Sequence, residues 1–346
     1  MSDLSNEAGL RRSRFDTRRM PHAAGYEAWN EAINVLFDAR SRRTADEGFF
    51  ASVDATLMGE VALGRLEATA QDFDRSRYKI ARDGMDGYVL QFYLKGQSAA
   101  RDNRLPVAGV GDLYIVDMAQ PLATTTSDHQ QISLVVPRRL LAPRVGNPDD
   151  LHMRVIPSAS PLVSLFRDSL MSFDRNIDRM TRLQGEAVIE PLLGLAAAAL
   201  DGHVREDNAG GVNLAQFSAI RRYVDAHLME RGLSIDTVVS AFALSRRTVY
   251  RLFEAVGGFS SYVNRRRLQR AFHILRSGEW RHLSISEIAE GHGFSNPEHF
   301  SRAFRREFSL SPREVRHLSG SAEALSVLSS GRPETEWSNW ISMLGR

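Results

Sequence analysis

Twenty consecutive residues constrain this chain more than any other stretch. From Gly293 to Pro312 it reads GFSNPEHFSRAFRREFSLSP. Asn296 is a good N-cap, and Pro297 falls at the first helical position, where its missing N–H costs nothing. Phe300, Phe304 and Phe308 recur every fourth residue and form one apolar stripe. Arg302, Arg305 and Arg306 fall off that stripe and face water or a polyanion. Ser311-Pro312 ends the run, because a residue before proline avoids the helical region. A short helix with an aromatic back and a guanidinium front suits the DNA major groove. The same description fits many solvated surface helices, so the neighbouring segments must decide.

Ser284-Ile285-Ser286-Glu287 is a capping box, with Ser at the cap and Glu three residues on. Ile288 and Ala289 continue a short helix, and Gly291-His292-Gly293 supplies a turn where positive φ is cheap. Helix, glycine turn and capped second helix make a helix-turn-helix pattern. A second copy lies upstream. Ser234 to Leu244 forms a short helix and turn, and Ser245 caps a helix in which Val249, Leu252, Phe253 and Val256 share a face. Phe259 to Ser277, with Tyr262, Leu268, Phe272 and Leu275, suits one long connecting helix. Such a spacer would set two reading helices about one DNA turn apart, roughly 34 Å.

With both copies in view, the segment from Phe217 to Leu318 resembles the DNA-binding domain of the AraC/XylS family of bacterial transcription regulators. That family carries a motif close to G-F-x-x-x-x-x-F-x-R-x-F-[KR]-x-x-F-G-x-[ST]-P. Gly293, Phe294, Phe300, Arg302, Phe304, Arg305, Phe308, Ser311 and Pro312 match it. Ser309 stands where the family usually has Gly, and Ala243 occupies a small or glycine position in the first turn. A positive φ at Ser309 would carry about 1 kcal/mol or more of strain. The resemblance implies base readers among Arg246, Arg247, Tyr250 and Arg251 in the first unit, and among Asn296, Glu298, His299 and Arg302 in the second. Arg305 and the helix N-termini suit phosphate. Any single arginine is as readily a phosphate contact or a solvated charge.

Charge distribution agrees. Asn213 to Leu318 holds 17 Arg and no Lys against 10 acidic residues, a net +7, while the whole chain is only +2. A basic module is therefore joined to a mildly acidic remainder. Arginine forks fit guanine edges and phosphates.

At 346 residues, 43% hydrophobic and 25% charged, the chain suits an ordinary globular protein of two or three units. No apolar run near 18 residues is evident, so no membrane partner is expected. Zero cysteines exclude disulfides and thiolate chemistry. His22, His129 and His152 are isolated, so no metal site and no cofactor are expected, and no nucleophile and base pairing marks an enzyme. Residues 1–20 contain Arg11, Arg12, Arg14, Arg18 and Arg19 and read as a disordered basic arm, or as an auxiliary DNA contact.

Residues 21–145 change character. One helix around Trp29, Ile33, Leu36 and Phe37 precedes short apolar runs punctuated by turns, such as Tyr88 to Leu94, Leu113 to Val116 and Ile132 to Val136. The passage resembles the cupin-like sensor domain found in one branch of the same family. The overall expectation is an α+β multidomain chain, with an N-terminal barrel or sandwich and a C-terminal all-α domain. In that branch the barrel holds a small effector, often an aromatic acid or amine. Tyr88, Gln91, Tyr93 and Tyr114 are the candidate effector residues, although strand aromatics are commonly core and a solvent-facing Gln91 fits equally well.

Residues 146–200 read as helices that pack on the barrel or on a second copy. A polar linker follows over 201–212, then the DNA-binding domain over 213–318. The tail, 319–346, carries Trp337, Trp340, Ile341 and Leu344 on one helical face. The functional expectation is a cytoplasmic regulator bound to double-stranded promoter DNA, controlled by a small effector. It would meet RNA polymerase if an activator, and a homodimer is compatible. The alternatives are an effector-independent regulator worked by a protein partner, and an enzyme with a DNA-binding appendage.

Overall fold

The computed structural model describes residues 9–318 apart from 35, 44–46, 84, 103–104, 147, 207–210, 231, 255–256 and 277–279. Val256, the centre of the expected linker and the four apolar residues of the tail lie outside the described residues. The chain divides into two compact units, with the boundary between Val204 and Arg205.

The first unit is built on antiparallel strands β1 (Arg11–Asp16), β2 (Asp38–Ser41), β3 (Ala51–Met58), β4 (Val61–Ala68), β5 (Gln71–Arg75), β6 (Gly87–Lys95), β7 (Ser98–Ala100), β8 (Leu113–Asp117), β9 (Leu122–Thr126), β10 (His129–Pro137) and β11 (Arg154–Ile156). Seven pair in the order β1-β3-β4-β10-β6-β8-β11, and four in the order β2-β5-β9-β7. With them come helices α1 (His22–Ile33), α2 (Arg77–Asp83), α3 (Arg138–Leu141), α4 (Pro161–Asn176), α5 (Arg182–Ala187) and α6 (Ile189–Glu206).

The seven-stranded sheet is covered on both faces, which explains why its central strands read as continuous apolar runs. Tyr88, Leu90, Phe92, Leu113, Ile115, Ile132, Leu134 and Val136 face a core shared with Val163, Phe166, Leu170 and Phe173 of α4 and with Leu192, Leu193, Ala196 and Leu200 of α6. Val89, Tyr93, Tyr114 and Val116 face the sandwich interior with Trp29, Ile33 and Leu36. Packing within the chain thus buries the main apolar faces of α4 and α6, while Leu165 and Leu183 stay exposed. The segment Arg182–Gly202 is apolar enough by length and composition to cross a membrane, which the sequence reading did not register. Here Leu192, Leu193, Ala196, Ala197, Ala199 and Leu200 are core against the sheet.

Two boundaries move. The expected disordered arm contains β1, which pairs with β3 from Arg11↔Leu57 to Asp16↔Ser52. Its arginines find carboxylates: Arg12 Nε lies 2.5 Å from Asp54 Oδ1, Arg14 bonds the same carboxylate, and Arg18 meets Glu67. Phe15 packs 5.9 Å from the Trp29 ring. The linker also shrinks, because α6 runs on to Glu206. Asp201 Oδ1 accepts from the Gly146 backbone N–H at 2.9 Å and holds that end of the helix.

The second unit contains α7 (Gly211–Ala226), α8 (Ile235–Phe242), α9 (Arg246–Phe253), α10 (Phe259–Arg276), α11 (Ile285–Gly291) and α12 (Pro297–Phe308), followed by a turn of helix over 312–318. The caps expected at Ser245, Ser284 and Asn296 form, and Ser234 caps α8 as well. Ser234, Ser245 and Ser284 accept from backbone N–H groups three residues on, and Asn296 Oδ1 accepts from both Glu298 and His299. Ala243 and Ser309 end their helices in the left-handed region, at φ 51° and 58°. The chain reverses there without glycine and carries the strain.

Candidate nucleic-acid interface and barrel cavity

In α12, Phe300, Ala303 and Phe304 are buried, and Phe304 and Phe308 lie 6.0 and 4.6 Å from the Phe272 ring of α10. Fixing that face fixes the other. Glu298, His299, Arg302, Arg305 and Arg306 are exposed, with Glu298 and Arg302 one turn apart. In α9, Val249 and Phe253 are buried, while Arg246, Arg247, Tyr250 and Arg251 are exposed. Tyr250 is 57% exposed, too open for a core aromatic.

The candidate readers differ in what else holds them. Arg246 Nη2 lies 2.6 Å from Asp236 of α8, and Arg305 Nη2 lies 3.7 Å from Glu314. The Asn296 carbonyl is committed to its helix cap. Arg247 and Arg302 have no carboxylate partner among the described residues.

Sequence reasoning missed the group that joins the two motifs. Arg267 of α10 is buried, donating from Nε to Leu228 O at 3.0 Å and from Nη2 to Glu230 O at 3.1 Å. Burial holds its pKa below the ordinary arginine value. Gly293, in the second turn at φ +76°, sits against the same guanidinium, and a Cβ there would meet Arg267 Cζ at 2.7 Å. The turn glycine therefore serves both backbone conformation and close approach.

In the first unit, strand register assembles a polar band. Ala55, Gly64, Ser133, Gln91 and Tyr114 are cross-strand neighbours on β3, β4, β10, β6 and β8. The next row holds Val53, Leu66, Gln131 and Tyr93, and the row on the other side Leu57, Ala62, Val135, Val89 and Val116. A register shift between Gln130 and Gln131 bends β10 at the edge of this band. Above it lie two cavities of about 100 and 60 Å³, both walled by Gln91, Gln131, Ile33, Phe37, Leu66 and Val116. Each has room for several waters.

Gln91, Tyr93 and Tyr114 thus come together at the cavities, and Gln91 faces inward rather than to solvent. Tyr88 does not join them. It lies on the opposite face of the sheet, its O–H donating to Pro148 O at 3.0 Å and its ring 4.6 Å from the Arg138 guanidinium. Arg138 in turn pairs with Asp86 and Asp117. Alternation along β6 put Tyr88 and Gln91 on opposite faces, so both could not line one pocket. Gln131 and Ser133 went unremarked, although a polar i, i+2 pair within an apolar strand was their signal.

The cavity walls are electrically quiet. Burial pushes the Tyr93 phenol up to about 12 and raises that of Tyr114. It lowers the pKa of His129, whose Nδ1 bonds Ser127 O at 2.9 Å. Tyr114 Oη, Gln131 Oε1 and Ser133 Oγ are buried without a hydrogen-bond partner among the described residues.

Comparison with known proteins adds two domain matches, an AraC-binding-like domain over residues 29–201 and a helix-turn-helix domain over 238–317. The chain is 40% identical over 106 residues to the HTH-type transcriptional activator RhaS of Enterobacter sp. (strain 638), covering 30% of this chain and 37% of that protein. It is 37% identical over 113 residues to RhaS of Escherichia coli O1:K1 / APEC, covering 32% of this chain and 37% of that one. These matches span little more than a third of the relatives' length. The AraC-like transcriptional activator CuxR shares the fold, with a TM-score of 0.51 and 23% identity over 75% of this chain and 95% of its own. With its AraC-binding-like domain covering half the sequence and its helix-turn-helix domain behind it, the chain belongs to the AraC/XylS family of transcription regulators.

Proposed function

We propose that this chain is a ligand-controlled regulator that binds double-stranded promoter DNA in the cytoplasm. Arg247, Tyr250, Arg251, Glu298, His299 and Arg302 read base edges, and Arg305 contacts phosphate. Arg246 and Asn296 are secondary, since an ion pair and a helix cap already engage them. An effector occupies the sandwich interior against Gln91, Tyr93 and Tyr114, and alters how the second unit engages its operator. Likeness to the RhaS activators supports activation, with RNA polymerase as the partner. Dimerisation through α4 and α5, where Leu165 and Leu183 are exposed, belongs to the same reading. One observation carries it: a basic double helix-turn-helix shares its chain with a cavity lined by buried polar atoms that have no partner among the described residues.

The test begins with selection of genomic fragments by the full chain, followed by gel shifts on base-substituted operators. Arg302→Ala is expected to lose about 1 to 3 kcal/mol at one base-pair position and little elsewhere. Arg305→Ala should weaken all sequences alike and reduce the salt slope by about one. Equal weakening at every position makes Arg302 a phosphate contact. Absence of any sequence preference in the full chain refutes the regulator reading.

A further inference from the structure

The polar band in the sandwich is short and uncharged. Tyr114 Oη, Ser133 Oγ and Gln131 Oε1 offer hydroxyl donors and a carbonyl acceptor, and all three are buried and without protein partners among the described residues. Over the larger cavity the facing wall is apolar, from Ile33, Leu36 and Phe37; the smaller one, which Tyr114 lines, also has Ser98, Thr124, Thr126 and His129 in its wall. At one end of the band the strand residues are small: a Cβ on Gly64 would meet only Ala55 Cβ at 3.7 Å and Asp54 O at 3.9 Å, so the space there is real. Among the residues lining the larger cavity, Arg65 alone is charged. Its guanidinium is already taken, with Nε 2.5 Å from Asp174 of α4. Among the described residues no carboxylate lines either cavity.

We propose that the ligand of these two cavities, which share Gln91 and Gln131, is an uncharged molecule with a compact apolar body and one or two hydroxyl or carbonyl groups that meet Ser133 and Gln131 in the larger or Tyr114 and Gln131 in the smaller. The inference rests on reading the sandwich interior as the effector site, and it narrows the acids and amines of the sequence expectation to neutral compounds. Among the described lining residues a carboxylate would meet only Arg65, already paired with Asp174, and His129, which burial holds toward its neutral form, and an ammonium would meet no anion. Two hydroxyls and an amide oxygen do not replace the water such a charge gives up, whereas a neutral hydroxyl exchanges its water hydrogen bonds for these about evenly. The orphaned atoms also gain partners on binding, so the ligand removes a defect that the empty fold retains.

The experiment uses the full chain at pH 7.5, with thermal unfolding and calorimetric titration against matched trios. These are benzyl alcohol, benzoate and benzylamine, and cyclohexylmethanol, cyclohexanecarboxylate and cyclohexylmethylamine. At least one alcohol is expected to bind saturably, about a hundredfold more tightly than its own carboxylate and amine. Gly64→Val, which fills the cavity from a strand position, should abolish that binding; Ala55→Val serves if the first variant does not fold. Ser133→Ala combined with Gln131→Leu should reduce the alcohol's advantage over toluene or methylcyclohexane by about tenfold. If a carboxylate or amine binds as tightly as the alcohol and Gly64→Val abolishes it, the site stands and the ligand class is wrong. If no probe shows saturable, Gly64→Val-sensitive binding, both the class and the effector site fall.

Discussion

Replacing Gly293 by alanine tests whether the buried guanidinium of Arg267 organises the second helix-turn-helix. Two costs are separable. At φ +76° an alanine carries left-handed strain of about 1 to 2 kcal/mol. Its Cβ would also lie 2.7 Å from Arg267 Cζ and 2.9 Å from Nη1, closer than side chains approach. An arginine tip ordinarily swings aside at little cost. This one is buried and tied to Leu228 O and Glu230 O, and displacing it forfeits at least one charged hydrogen bond of about 1.5 to 3 kcal/mol. Gly293→Ala should therefore cost about 2.5 to 5 kcal/mol, a large share of a domain's roughly 5 to 15. In an Arg267→Met background the clash partner is gone, and the same substitution should cost only the strain, about 1 to 2 kcal/mol. Hydrogen exchange of α10, α11 and α12 peptides in the full chain reads the cycle locally. Equal costs in the two backgrounds, within about 0.5 kcal/mol, would show that the guanidinium is not the obstacle.

Other substitutions probe the caps, the band and the histidines. Asn296→Ala removes the acceptor for two backbone N–H groups and should destabilise α12 by about 1 kcal/mol, read as faster exchange of its first turn. Ser309→Gly relieves a left-handed cap and should raise the unfolding midpoint; a fall would mean the serine at φ 58° is unstrained. Ser133→Ala removes a buried hydroxyl without a partner and should leave the ligand-free protein as stable or more so, while a loss above about 1 kcal/mol would reveal a bound water. Burial lowers the pKa of His129, His152 and His292, so the folded state favours their neutral forms. Their contribution is whole above the unfolded value of about 6.5 and declines as pH falls below it. Urea midpoints from pH 8 to pH 5 should drop, and His292→Gln should flatten the profile.

The second unit was legible because its signals are local. A cap and the N–H groups it serves lie within one turn, and the Phe300, Phe304 and Phe308 stripe needs only helical period to find its face. Even the strained serine at 309 showed as a departure from the family motif. Arg267 was not legible, because its meaning depends on carbonyls at Leu228 and Glu230 and on the glycine at 293, three places that no periodicity relates. The basic N-terminal segment failed for a similar reason. Arg12 and Arg14 look like a solvated charge run until Asp54 is set beside them by β1 and β3 pairing.

In the first unit the missing information was register. Alternation separated Tyr88 from Gln91, but a sheet buried on both faces gives no sign of which face borders a cavity and which a helix layer. Gln91, Ser133 and Tyr114 each look incidental within their own strands. Set opposite one another by β10, β6 and β8, they become a polar line across an apolar interior, with Gln131 beside it at a bulge. Selection for stability alone would replace such groups, since an unpartnered buried hydroxyl or amide costs about 1 to 3 kcal/mol. Three such atoms along two cavities that share Gln131, against the helices' well-packed core on the other face of the same strands, are more economically explained by a polar guest than by three independent defects.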